Sequence, residues 1–170
     1  MQQISIETVI DIALQAAAKV RQIYQSEDFD VTIKTDHSPL TAADTAANKI
    51  ITEGLHNSFP EVPVLSEENK ITPYETRQNW QRFWLVDPLD GTKEFLKRNG
   101  DFTVNIALIL GREPVFGVVY APATRTLYHG GVGQGASRRT GDGADEPIQC
   151  RQADPSLSLI HISEPMRPRL

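Results

Sequence analysis

The segment Trp84-Leu85-Val86-Asp87-Pro88-Leu89-Asp90-Gly91-Thr92-Lys93-Glu94-Phe95 sets two carboxylates three positions apart at the end of an apolar run. The pattern predicts a buried strand that delivers Asp87 at its end, a turn at Pro88, and a helix opened by Gly91-Thr92. Two carboxylates on a tight turn suit hard cations, which take oxygen ligands. Backbone N–H groups at a helix start face a phosphate. The same residues also suit an ordinary strand-to-helix turn, with Asp90 as a cap and Asp87 solvated. Local sequence leaves both readings open.

Leu65-Ser66-Glu67-Glu68 is a second acidic segment at the end of an apolar run, so neighbouring strands would bring Glu67 beside Asp87. Alone, the pair also suits a solvated loop. Thr41-Ala42-Ala43-Asp44 has the spacing of a capping box, although Asp is shorter than the usual Glu. A carboxylate there could equally orient a metal-bound water through a hydroxyl partner, and Thr92 is the obvious one. Lys34, Lys93, Lys97 and Arg98 are cations near these acids in sequence. His37, His56, His129 and His161 lack the mutual spacing of a metal site. There is no Gly-x-Ser-x-Gly elbow and no phosphate-binding loop ending in Gly-Lys-Ser/Thr.

Two helices and a set of strands must position these groups. Val9, Ile12, Ala13, Ala16, Ala17, Val20 and Ile23 recur at helical spacing and predict a helix from Ile4 to about Ser26. Val31-Thr32-Ile33 is β-prone. Thr41 is the expected N-cap of a second helix reaching Ser58, with Ile50, Ile51 and Leu55 on its apolar face. Short strands follow at 62–65 and 83–86, then longer ones at 102–110 and 114–120, joined by a linker of hairpin length. Thr126-Leu127-Tyr128 gives a fifth strand, and glycines 130, 131, 133 and 135 mark turns around a sixth. Helices followed by consecutive antiparallel strands indicate an α+β fold.

The chain has 170 residues, with 17 Lys+Arg against 22 Asp+Glu and a formal net charge of −5. That acidic balance argues against a nucleic-acid-binding module, which shows a basic face. The single cysteine, Cys150, excludes an internal disulfide and a Cys-based zinc site. No stretch approaches the ~18 apolar residues of a membrane span, and Met1-Gln2-Gln3-Ile4 lacks the features of a signal peptide. A cytoplasmic protein is expected, and a weak peripheral contact with the inner membrane face is compatible with that.

Taken together, the Glu67-Glu68 pair and Trp84-Leu-Val-Asp87-Pro-Leu-Asp90-Gly-Thr92 resemble the inositol monophosphatase superfamily of metal-dependent, lithium-sensitive phosphomonoesterases. The Lys93-Glu94-Phe95 continuation, Lys97 to Leu108, Pro63 to Glu68 and Gly117 to Pro122 are similar to the CysQ-type 3'(2'),5'-bisphosphate nucleotidases. The resemblance runs from about residue 4 to about residue 157. It implies hydrolysis of the 3'-phosphate of adenosine 3',5'-bisphosphate to AMP, which clears a by-product of sulfate activation. It also implies two or three Mg²⁺ ions, with Glu67, Asp87 and the Leu89 carbonyl on the first and Asp87 and Asp90 sharing a second. Asp44 would accept from Thr92, whose hydroxyl orients the attacking water, making Asp44, Thr92 and Glu67 the catalytic set. Glu67, Leu89, Asp90, Gly91, Thr92 and Lys34 would line the phosphate site.

The resemblance further implies an α/β/α/β/α sandwich, of which residues 1–157 would be the N-terminal metal-binding half. Two long helices would lie on an antiparallel sheet of about six strands, with an apolar far face. Family members carry a later Trp-Asp-x-Ala-Ala-Gly segment that supplies another aspartate; the tryptophans here are Trp80 and Trp84. Residues 158–170 resemble translated sequencing-adapter read-through and are expected to be a non-native or disordered tail. Three readings of the chain therefore stand: a nucleotidase, an inositol monophosphatase-like sugar phosphatase, and a non-catalytic metal- or phosphate-binding fragment. Oligomeric state is not legible.

Overall fold

The computed structural model describes residues 4–26, 31–33, 39–70 and 72–150. Lys34, His37 and the segment from Ser158 lie outside them. Helix α1 (Ile6–Gln25) begins at Ser5, whose side chain accepts from the Thr8 amide, and buries Val9, Ala13, Ala16, Ala17 and Val20 along one stripe. A two-strand ribbon, β1 (Thr32–Ile33) with β2 (Pro39–Leu40), leads into α2 (Ala42–Ser58). The helices cross closely at Gly54, where a Cβ would stand 2.9 Å from Ile12 Cγ1. Any larger residue there would force the Ile12 side chain to shift.

After α2 come β3 (Val64–Ser66), the short α3 (Tyr74–Arg77), β4 (Arg82–Asp90) and α4 (Thr92–Lys97). Five strands then follow as a meander: β5 (Thr103–Leu110), β6 (Glu113–Ala121), β7 (Thr126–Gly131), β8 (Gly135–Thr140) and β9 (Glu146–Ile148). Strands β3 to β9 form one sheet in sequence order. All its neighbours are antiparallel except β3 and β4, which run parallel. The sheet therefore has seven strands where about six were expected. Neither α3 nor β9 had a sequence signal, being four and three residues long.

Two local expectations are corrected. Pro88 does not turn the chain, because β4 continues through it to Asp90. The pairing with β5 shifts register between Asp87 and Asp90, so the proline falls at an irregularity where no ladder hydrogen bond is lost. Gly130 and Gly131 lie within β7 and not in a turn.

Alternation along the strands points Trp84, Val86, Val104, Ile106, Val118 and Leu127 at the helices, where all are buried. The opposite face is open and apolar, with Leu85 at 45%, Val119 at 41% and Tyr128 at 41% exposure. That matches the expected character of this face. Helix α4 is anchored by Phe95, which packs against Tyr24 of α1 and Phe102 with ring centroids 5.1 Å from each. Burying that ring contributes roughly 1.5–3 kcal/mol, and it fixes the turn carrying Asp90 to the helix layer.

Candidate active site

The parallel pairing of β3 with β4 sets Ser66 beside Val86. One residue on, the Glu67 amide donates to the Val86 carbonyl at 3.1 Å, so Glu67 and Asp87 leave adjacent strand ends together. The carboxyl of Asp87 is pushed up from 3.8 to about 7. Burial is the largest cause, followed by the charges of Glu67 and Asp90; a side-chain hydrogen bond with Glu67 adds to it, and the Leu89 amide opposes it. That amide donates to Asp87 Oδ1 at 3.2 Å, which curls the chain so that the Leu89 carbonyl and Asp90 follow. The β3 end is itself tied to α2: Ser66 Oγ donates to Asn48 Oδ1 at 2.6 Å, and Asn48 Nδ2 donates to Asn69 Oδ1 at 2.8 Å.

Asp44 makes both of the contacts its sequence allowed, to the cap of α2 and to Thr92. Its Oδ2 accepts from the Thr41 amide at 2.8 Å, completing the capping box of α2. Its Oδ1 accepts from Thr92 Oγ1 at 3.1 Å. Asp44 is 1% exposed and Thr92 is half-buried, so the link from α2 to the start of α4 is partly shielded from competing water. Thr92 Oγ1 also lies 3.2 Å from the Leu89 carbonyl. One hydroxyl proton thus has two acceptors.

Gly91 has φ +91, a conformation that side-chain-bearing residues rarely adopt, and a Cβ there would meet the Asp101 carbonyl at 2.7 Å. Only glycine fits. Among the described residues, the cations near these acids in sequence have other partners or face solvent. Lys97 pairs with Glu94 at 3.5 Å, Arg98 donates to the Ser26 carbonyl at the end of α1, and Lys93 is exposed.

Three residues without a motif also reach this region. Asn105, opposite Asp87 on β5, donates from Nδ2 to Asp90 Oδ2 at 3.3 Å. Asn48 braces the Glu67 turn, as above. Arg77 lines, with Glu67, Asp87 and Asn105, a groove of about 580 Å³ on the open sheet face. An asparagine inside Val104-Asn105-Ile106 was the one available signal, a polar group in an apolar strand.

Among the described residues, no three acidic, histidine or cysteine side chains are gathered closely enough to hold an ion by themselves. The Leu89 carbonyl, which accepts from Thr92, is the backbone oxygen that the family resemblance adds to Glu67 and Asp87. Carboxylates and a carbonyl are the ligands hard divalent cations take, and the raised Asp87 carboxyl reflects burial first and then the nearby charges of Glu67 and Asp90. The residues present fit such an ion.

This crowding has a measurable sign. The native state keeps a proton on Asp87 that the unfolded chain has already lost, so cation-free stability falls as pH rises from about 4 to about 7 and is flat beyond. Asp87→Asn removes the penalty. Discounted for a half-exposed carboxyl, about 1 kcal/mol is expected, or roughly 2–4 °C in a chain this long. In EDTA the variant should melt higher than the parent at pH 8 and equal to it at pH 4. A variant that melts lower at pH 8 would show that Asp87 is not repelled there.

A family model described as the inositol monophosphatase family matches residues 2–167. The 3'(2'),5'-bisphosphate nucleotidase CysQ of Escherichia coli K12 is 48% identical over 159 residues, covering 93% of this chain and 63% of the relative. The protein of the same name from Buchnera aphidicola is 41% identical over 161 residues, covering 94% and 60%. Among solved structures, CysQ from Bacteroides thetaiotaomicron aligns with a TM-score of 0.73 at 41% identity, over 87% of this chain and 58% of that one. The suppressor protein SuhB of Bartonella henselae aligns at 0.70 and 30% identity, over 81% and 52%. The chain spans less than two thirds of the length of each. Among the described residues, no helix is long and apolar enough to cross a membrane.

Proposed function

The chain belongs to the inositol monophosphatase family, and from that membership we propose that it carries the metal-binding part of a 3'(2'),5'-bisphosphate nucleotidase. The reaction would be hydrolysis of the 3'-phosphate of adenosine 3',5'-bisphosphate, giving AMP and phosphate. The observation that carries this reading is the charge of Glu67 and of Asp90 acting on Asp87, beside the Thr92–Asp44 hydrogen bond. The names of the relatives point to the nucleotide substrate.

Glu67, Asp87 and the Leu89 carbonyl would hold one Mg²⁺, and Asp87 with Asp90 a second. Bound there, the ions lower the pKa of a water and offset charge on the phosphate and leaving oxygen. Thr92 orients that water: its hydroxyl oxygen accepts from the water while its proton is held toward Asp44 Oδ1. Were the Leu89 carbonyl to hold a cation, Asp44 would be the acceptor left for the Thr92 proton. Asp44 therefore fixes the direction of the hydroxyl, and its burial keeps solvent from scrambling it. The Gly91 and Thr92 amides, whose helix-start N–H groups have no partner within the helix, bind phosphate oxygens. By the family resemblance, Lys34 would add a positive charge to the same phosphate. No covalent phosphoenzyme is needed, since attack by water is direct. We assign the activity to the cytoplasm, where the by-product of sulfate activation would be cleared.

The test is phosphate release from adenosine 3',5'-bisphosphate and from inositol 1-phosphate, with Mg²⁺ and with EDTA. It uses this chain and a chimera extended with the remaining C-terminal part of the Escherichia coli relative. Mg²⁺-dependent release from the nucleotide in preference to the sugar phosphate is expected, at least in the chimera. Preference for inositol 1-phosphate would replace the nucleotidase reading with a sugar phosphatase. Silence of both proteins on both substrates would leave a non-catalytic binding module.

A further inference from the structure

Asn105 has no part in the roles assigned above, yet its placement is specific. It lies on β5 in register with Asp87, at a position that faces away from the helices; its neighbours Val104 and Ile106 are buried against them. Its Nδ2 donates to Asp90 Oδ2 at 3.3 Å. An ionised carboxylate only accepts, so the amide must present its NH₂ end to Asp90, and this fixes which way the group is turned. Oδ1 is then directed elsewhere. It is buried without a hydrogen-bond partner, and the residue lines the groove shared by Glu67 and Asp87. Buried polar atoms are almost always satisfied, so an amide that leaves Oδ1 buried and unpartnered is held in this orientation by the bond its other end makes to Asp90.

We propose that Asn105 is a positioning residue of the acidic site, holding the Asp90 carboxylate in place for cation binding. The proposal rests on Asp90 being a cation ligand. Groups that hydrogen-bond to ligating carboxylates orient them, and their loss typically costs about 10–100-fold in metal affinity. The residue does this without adding a fourth negative charge to a crowded site. An aspartate of the same shape could not donate to Asp90 and would repel it.

The test is Mn²⁺ binding by the 170-residue chain, with melting in EDTA measured alongside, for the parent, Asn105→Ala, Asn105→Gln and Asp90→Asn. The parent should bind Mn²⁺ and Asp90→Asn should lose most of that affinity. Asn105→Ala should weaken binding about tenfold while its melting temperature in EDTA stays near that of the parent. Asn105→Gln keeps the donor and should recover most of the affinity. Unchanged affinity in Asn105→Ala beside a weakened Asp90→Asn would overturn the role of Asn105 alone. So would a loss of affinity matched by an equal loss of stability in EDTA, since that is what a purely structural residue gives. A parent that binds no Mn²⁺, or binds it equally well without Asp90, would overturn the cation reading beneath the proposal.

Discussion

Asp90→Asn is expected to abolish Mg²⁺-dependent phosphate release in the extended chimera while leaving the fold intact. Asp90 is at the end of β4, paired with Thr103 across the register shift, and it is exposed. No core packing depends on it. The amide is close in shape to the carboxylate and keeps an oxygen facing Asn105 Nδ2. What disappears is the charge between two adjacent oxygens, the property a shared cation ligand needs. The loss should exceed the ~10–100-fold typical of removing a group that merely supports a ligand, because here the ligand itself goes. Melting in EDTA should be unchanged or slightly higher, since one of the charges crowding Asp87 is removed. Turnover near the parent value would remove Asp90 from the site.

Thr92→Ala should separate water orientation from cation binding. Thr92 contributes one hydroxyl, placed 3.1 Å from Asp44 Oδ1 and 3.2 Å from the Leu89 carbonyl. Removing it leaves every proposed cation ligand in place. Turnover should therefore fall about 10²–10⁴-fold, the range for loss of a positioned proton-transfer partner, with Mg²⁺ affinity little changed. Thr92→Ser keeps the hydroxyl and should restore most of the rate. Some stability will be lost in the alanine variant, because Asp44 Oδ1 is left buried without its donor, at about 1–3 kcal/mol. Melting and turnover read together distinguish the two effects. Weakened cation binding with normal turnover at saturating Mg²⁺ would instead place Thr92 in the support of the Leu89 carbonyl.

The long helices were legible because their apolar residues repeat with the helical period: Thr41 caps α2 as its sequence indicates, and α1 buries the stripe from Val9 to Val20. Two longer apolar runs joined by a linker of hairpin length likewise identified β5 and β6. Direction and pairing are another matter, because a period of two says nothing about which neighbour a strand takes. The parallel alignment of β3 with β4, which sets Glu67 beside Asp87, depends on the connection through α3 and could only be conjectured from two acids at two strand ends. Pro88 was misleading for a local reason: a proline breaks a regular ladder, and the bulge that admits it has no separate signal.

In the site, Asp44 shows why local reasoning left two answers standing. A carboxylate has two oxygens, and the structure gives one to the cap and the other to Thr92. The motif residues stood out because acids at strand ends are conspicuous. Asn105 did not, because an outward polar residue is what a half-solvated strand is expected to carry. Its meaning comes only from Asp90, fifteen residues earlier, folding back within hydrogen-bond reach.

The account turns on Glu67, Asp87, the Leu89 carbonyl and Asp90 forming a divalent-cation site, and anomalous X-ray scattering from crystals of this chain soaked in Mn²⁺ tests that most directly. The expected result is a manganese peak in contact with Glu67, Asp87 and the Leu89 oxygen, with any second peak between Asp87 and Asp90. Manganese bound only elsewhere, with the Glu67–Asp87 hydrogen bond undisturbed, would contradict it.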